Sequence, residues 1–199
     1  MTERLDPLDA LDLAQASGRA VISGLRPDDW QRPTPCDEWS VRDIVNKMVA
    51  STLMFAAFGR REPLDPPYDL VHPAEVLGDD PSDTFTRAAS ECSDAWRRAG
   101  ALDGTAPSTV GQFPAKAVLN ARIFDTTILT WDIARATGQP HGIGEPLAAY
   151  VLRVAEALVP NVRNVSPERY KDAPDVDTNA TTVERMIAAT GRDAAWTAP

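Results

Sequence analysis

The sequence is poor in the side chains that most often carry catalysis or bind metals. Its 199 residues include two cysteines, two histidines and three lysines, beside seventeen arginines. Two cysteines do not make a disulfide framework, so we expect reduced thiols. The sequence also lacks Cys-x-x-Cys, His-Glu-x-x-His and a glycine-rich phosphate loop, which excludes the zinc and nucleotide sites that those motifs mark.

Positive charge and long apolar runs are also scarce. The formal net charge of −9 argues against nucleic acid or an anionic membrane surface as a partner. No apolar run reaches the length of about 18 residues that a membrane-spanning helix needs. The first residues, MTERLDPLDALDLA, are acidic and lack an apolar signal core, so we expect a cytoplasmic protein.

Apolar residues recur at the helical period of 3.6 along most of the chain. The 43% apolar and 25% charged content is typical of a globular protein, and the length fits a single domain over 1–199. No strong period-two run appears. The class is therefore all-α, with four main helices and accessory C-terminal ones, predicted over about 7–24, 40–58, 82–100, 114–137, 145–159 and 181–196.

The connection over 59–80 is unusually long for a compact domain. It carries four prolines and no sustained period, and long connections require a structural reason. A crossover that joins two parallel helices of a bundle supplies one. His72 in this connection and His141 after the fourth helix are predicted to be solvated loop residues.

The second helix contains one of the three lysines at an unexpected place. Ser40 and Asp43 have the spacing of a capping box, which predicts the helix start. Ile44 and Met48 then lie on its apolar face, and Lys47 lies just beside that face.

The fourth predicted helix carries two carboxylates toward the interior. Asp125, Leu129 and Asp132 fall within a narrow sector of the helix. Unpaired burial of a charge is costly. Either Asp132 binds a loop backbone or an arginine while Asp125 lies near the rim, or Asp125 belongs to a polar site inside the bundle.

Three stretches together resemble the DinB-like superfamily, specifically the metal-binding domain of mycothiol-dependent maleylpyruvate isomerase. They are PTPCDEWSVRDIVNKMV (33–49), FDTTILTWDIARATG (124–138) and VERMIAATGRDAAW (183–196). The resemblance implies a DinB-like four-helix bundle with a long crossover between helices 2 and 3. It also implies a divalent metal such as zinc or nickel, held by a histidine, an acidic residue and a second histidine, which activates mycothiol or water.

This sequence departs from that ligand pattern. Lys47 stands at the first histidine position, Asp125 keeps the acidic position, and Leu129 stands at the second histidine position. Lysine has no lone pair until it is deprotonated and leucine has no donor atom, whereas catalytic zinc normally has three protein ligands. We therefore expect no metal or other cofactor at Lys47, Asp125 and Leu129, which we name the bundle polar site, with Asp132 and Asp43 as candidate supporting residues.

The odd lysine has two explanations. In the first, the Lys47 ammonium takes the place of the lost cation and pairs with Asp125, while Leu129 fills the remaining volume. In the second, Lys47 extends along its apolar stem into solvent and meets nothing.

Three functions agree with these features. The first is a metal-free DinB-like protein that binds a small molecule or a partner in the bundle cleft. The second is a mycothiol-dependent transferase or isomerase of the maleylpyruvate isomerase type, in which Lys47 takes part as a base or as an electrostatic clamp. The third is a structural subunit of a homodimer. The sequence leaves open whether the protein is an enzyme.

Overall fold

A computed structural model describes residues 5–36, 39–62, 69, 73–165 and 170–198. The predicted helical class is confirmed, and the helix starts lie close to the predicted ones. Within the described residues the elements are α1 (Pro7–Ser23), α2 (Val41–Arg60), α3 (Pro81–Arg97), β1 (Thr105–Ser108), β2 (Gly111–Pro114), α4 (Ala115–Thr137), α5 (Glu145–Val165) and α6 (Thr182–Ala188).

Local capping explains where several helices begin. The Ser40 side chain accepts from the backbone N–H of Asp43, and the Asp43 carboxylate accepts from the backbone N–H of Ser40 at 2.9 Å, which is the predicted capping box. The Asp80 side chain accepts from the backbone N–H of Asp83 at the start of α3. Each cap satisfies a backbone N–H that has no partner within the helix.

Four helices form the bundle. Each of α1 and α2 packs against both α3 and α4, so the four surround one interior. Asn46 near the start of α2 bonds the backbone of Ala74 and Val76 just before α3, and Trp96 near the end of α3 donates to the carbonyl of Phe55. The helices α2 and α3 therefore run parallel, which confirms the predicted crossover, although its residues 63–68 and 70–72, including His72, lie outside the described residues.

The other two helices of the bundle run the opposite way. Ser93 of α3 donates to Gln15 of α1, whereas Phe85, earlier in α3, contacts Gly18, later in α1. Thus α1 is antiparallel to α3. Ser51 of α2 meets Asp125 of α4, whereas Arg32, which precedes α2, donates to the carbonyl of Ala136 near the end of α4, so α4 is antiparallel to α2. The remaining helices pack outside the bundle, α5 on α4 and α1, and α6 on α5.

The structure differs from the sequence prediction in three places. Residues 105–114, which lie almost entirely between two predicted helices, form an antiparallel hairpin. Only Ala106 of its two four-residue strands is buried, so the strands show no period-two signal. The helix α5 continues past Pro160 to Val165. The helix α6 ends at Ala188 rather than near 196, and Gly191 then adopts a left-handed φ of 79°.

The apolar faces that the sequence predicted for the helices are buried in the core. Its largest fully buried side chains include Trp96, Phe58 and Phe85. Leu129 is buried in the half of the core that also contains Ile44 and Met48. No helix in the described ranges has the length and apolar content needed to cross a membrane.

Candidate functional site

The Asp125 carboxylate forms an ion pair with an arginine of its own helix. Arg122, one turn earlier on α4, has a fully buried side chain, and its Nη1 lies 3.3 Å from Oδ2 of Asp125. The same Nη1 donates to the Ser51 hydroxyl at 2.6 Å, and that hydroxyl lies 3.3 Å from Oδ2 of Asp125. The Asp125 side chain is 27% exposed. This arrangement combines features of both sequence alternatives, because Asp125 lies near the rim yet belongs to a polar cluster between α2 and α4.

The predicted ion pair between Lys47 and Asp125 is not formed. Among the described residues, no carboxylate oxygen lies within 4.0 Å of the Lys47 ammonium. The Lys47 Nζ instead lies 4.7 Å from the centre of the Trp39 ring. The physical reason is that Arg122 and Ser51 already contact the Asp125 carboxylate from closer positions.

The second explanation of Lys47 is also incomplete, because the side chain does not simply extend into water. Lys47 is half-buried, and its ammonium lies over a half-buried tryptophan. A cation over an indole face is attracted by the ring quadrupole, by about 0.5–1 kcal/mol at exposed sites. Trp39 lies just before the Ser40 cap, so the start of α2 holds the ring where a side chain one to two turns later reaches it.

Asp132 has a separate cation. It is fully buried, and its two oxygens accept from Nε and Nη2 of Arg192 at 2.8 Å each. This two-point contact is typical of an ionised carboxylate and a guanidinium. Burial alone lowers the pKa of Arg192, but the Asp132 carboxylate beside it raises that pKa above its ordinary value. Of the two sequence alternatives for Asp132, the structure shows the arginine.

The charge of Lys47 influences the pKa of Asp132 without a hydrogen bond between the two side chains. Burial raises the pKa of Asp132, and the nearby charges of Arg192 and Lys47 oppose that rise. The direct contacts of Asp132 go to Arg192, and the Lys47 ammonium lies beyond 4.0 Å from its oxygens. The two candidate supporting residues therefore have other structural roles: Asp132 holds Arg192, and Asp43 caps α2.

The charged side chains around the bundle polar site are not all paired directly. Asp125 contacts Arg122, and Asp132 contacts Arg192. Among the described residues, Lys47 is the cation of this site that has no carboxylate oxygen within 4.0 Å.

The bundle polar site does not offer a ligand set that fits a divalent metal. Lys47 presents an ammonium, Leu129 a hydrocarbon side chain, and Asp125 a carboxylate already bound by Arg122 and Ser51. Elsewhere in the described ranges, no group of three histidine, cysteine or carboxylate side chains is placed to hold a metal ion. The expectation of a protein without a metal cofactor stays a prediction.

Sequence reasoning missed the two arginines. Arg122 precedes Asp125 by three positions, which is the spacing of an ion pair on a helix and was a usable signal. Arg192 is 60 positions from Asp132, and nothing local indicates that contact.

The fold and these contacts define a class: a DinB-like helical bundle in which arginines satisfy the interior carboxylates. A family model described as "Mycothiol maleylpyruvate isomerase N-terminal domain" matches residues 11–134. This match covers more than half of the chain, so the protein belongs to that family.

Two mycobacterial proteins are similar to this chain. They are "Uncharacterized protein MT0763" of Mycobacterium tuberculosis strain CDC 1551 / Oshkosh and "Uncharacterized protein Rv0738" of strain ATCC 25618 / H37Rv. Each is 28% identical over 155 residues, which is 78% of this chain and 80% of the relative. No solved structure matches the chain.

Proposed function

We propose that this protein binds a small anionic molecule, with a carboxylate or a thiolate, at the Lys47 ammonium between α2 and α4, and that it does so without a metal. The observation that supports the proposal is the environment of the Lys47 ammonium. Lys47 is a half-buried cation over Trp39, and no described carboxylate lies within 4.0 Å of it. A cation in that position favours an anionic partner.

The neighbouring contacts support an external partner rather than an internal one. Asp125 is bound by Arg122 and Ser51, and Asp132 by Arg192. Neither carboxylate has an oxygen within 4.0 Å of the Lys47 ammonium. An incoming anion can therefore contact Lys47 directly without displacing either arginine from its carboxylate.

The second candidate is a mycothiol-dependent transferase or isomerase. The family description favours it, because the matched domain is named for an isomerase that uses mycothiol. In this version Lys47 stabilises the bound thiolate by its charge. No step through a metal ion is assigned, because the residues at the bundle polar site do not fit one.

A structural homodimer has less support. A dimer surface would be favoured by an apolar patch across two helices. The exposed large apolar side chains of the described residues are instead spread over α1, α2, the hairpin and a C-terminal loop, at Leu13, Leu53, Val110, Phe113 and Val176.

Lys47→Ala is expected to reduce the stabilisation that an anionic ligand gives to about half or less. The wild-type protein is heated with mycothiol, with maleylpyruvate and with neutral analogues of both, and the unfolding temperature is recorded. A ligand at about 100 times its dissociation constant stabilises the native state by about 2.7 kcal/mol. Loss of the ammonium should weaken binding about tenfold or more, since hydrogen bonds to charged groups contribute about 1.5–3 kcal/mol.

Lys116→Ala is the matched control, because Lys116 is exposed at the start of α4 and away from Trp39. It should leave the ligand-induced shift unchanged. Equal shifts in wild type and Lys47→Ala, with the fold intact by circular dichroism, would refute the proposal. Conversion of maleylpyruvate that depends on mycothiol, and is lost in Lys47→Ala, would establish the second candidate instead of simple binding.

A further inference from the structure

A cleft of about 440 Å³ lies outside the bundle polar site. It is formed by the end of α4, the turn that follows, and the segment from the start of α6 to Ala194. None of Lys47, Asp125, Leu129 and Asp132 lines it. Its size is that of a small-molecule site. The lining residues used below are Trp131, Arg135, His141, Val183, Glu184 and Ala194.

Two opposite charges line this cleft without meeting. Arg135 uses its Nε to donate to the backbone carbonyl of Trp196 at 2.7 Å. Oε2 of Glu184 accepts from the backbone N–H and the hydroxyl of Thr181, in the capping box of α6. Among the described residues, neither Arg135 nor Glu184 has an oppositely charged group within 4.0 Å. The guanidinium Nη atoms and Oε1 of Glu184 therefore keep bonding capacity.

His141 adds a neutral donor to the same wall. It is half-buried rather than solvated, which corrects the sequence prediction, and its Nδ1 accepts from the backbone N–H of Ile143 at 3.0 Å. Burial and then the charge of Arg135 lower the pKa of His141. The ring is therefore neutral at pH 7, and because Nδ1 holds a lone pair, the proton is on Nε2.

The wall also has an apolar part. Trp131 lines the cleft and is 5% exposed, so most of its indole ring is packed against the protein. Val183 and Ala194, both half-buried, also line the cleft.

We propose that the cleft binds a small zwitterion of the amino-acid type with an apolar body. Its carboxylate is taken by Arg135 and by the Nε2–H of His141. Its ammonium is taken by Glu184, and its side chain packs against Trp131 and Val183. A purely anionic or purely cationic ligand would satisfy one charge of the cleft and face the other as a like charge.

The test is a titration of the ¹⁵N-labelled protein with L-phenylalanine, phenylacetate and phenethylamine. The indole resonance of Trp131, assigned with Trp131→Phe, should shift with L-phenylalanine and saturate. Each of the two singly charged probes should bind about fivefold more weakly than L-phenylalanine, which is the scale expected for losing one rim ion pair. An unchanged Trp131 resonance at millimolar L-phenylalanine, or equal affinity for all three probes, would overturn the proposal.

Variants separate the two charges. Arg135→Ala and Glu184→Gln should each weaken L-phenylalanine binding about fivefold, and glutamine preserves the capping box at the third position of α6. Arg153→Ala, on the exposed face of α5 and outside the cleft, should have no effect. Lys47→Ala should also have none, so failure here and failure of the proposed function are distinguishable. Unchanged affinity in both cleft variants would refute the assignment.

Discussion

Asp132→Asn is expected to lower the free energy of unfolding by about 3–5 kcal/mol, the usual effect of removing one partner of a buried ion pair. The substitution keeps the shape of the side chain and removes its charge. It leaves the Arg192 guanidinium, 14% exposed as a side chain, without its counter-charge beside α4. Urea unfolding followed by circular dichroism measures the difference.

A surface pair provides the matched control. Asp12 of α1 and Arg97 of α3 also form an ion pair between distant segments, but their side chains are 51% and 42% exposed. Asp12→Asn should therefore cost less than about 1 kcal/mol. The double variant Asp132→Leu with Arg192→Met should recover most of the loss, because an apolar pair has no charge to desolvate. A change below about 1 kcal/mol for Asp132→Asn would contradict the role assigned to this pair.

Lys47→His combined with Leu129→His is expected to create a zinc site where the wild type has none. With Asp125, the two histidines would supply the three protein ligands typical of catalytic zinc. The guanidinium of Arg122, 3.3 Å from Oδ2 of Asp125, should oppose the metal. Adding Arg122→Met should therefore tighten zinc binding about tenfold or more, equivalent to about 1.4 kcal/mol. Competition with a chromophoric chelator gives the affinities.

Asp125→Asn in the same background is the control for this gain. It retains both histidines and should lose most of the zinc affinity, because an amide oxygen is a weaker ligand than a carboxylate. Zinc binding that ignores Asp125 would show that the metal lies elsewhere. Failure of every histidine variant to bind zinc would show that these three positions do not converge.

The helices were predictable because their signals are local. The capping boxes at Ser40 and Thr181 and the proline at the start of α3 are each read within four residues. The crossover between the parallel helices α2 and α3 followed from the length and proline content of one connection. The hairpin was missed because it exposes nearly all of its side chains, so burial imposes no alternation on the sequence.

The candidate site was less predictable for a physical reason. The sequence places Lys47 and Asp125 on facing helices, but which charges pair depends on side-chain reach. Arg122 competes from the same helix and Arg192 from 60 positions beyond Asp132. Lys47 then finds the Trp39 ring instead of a carboxylate. Opposite charge alone did not identify the partner, because the sequence does not show which cation lies nearest to each carboxylate.

The central claim is that Lys47, Asp125 and Leu129, which stand at the metal-ligand positions of the resembled domain, hold no metal ion. Arg122 already contacts Asp125, and Lys47 adds a further positive charge. Titration calorimetry of untagged, chelator-treated wild-type protein with zinc and with nickel tests this claim most directly. We predict no binding that depends on Asp125 and no change in unfolding temperature when zinc or nickel is added. One tightly bound ion per chain, lost in Asp125→Asn, would contradict the account.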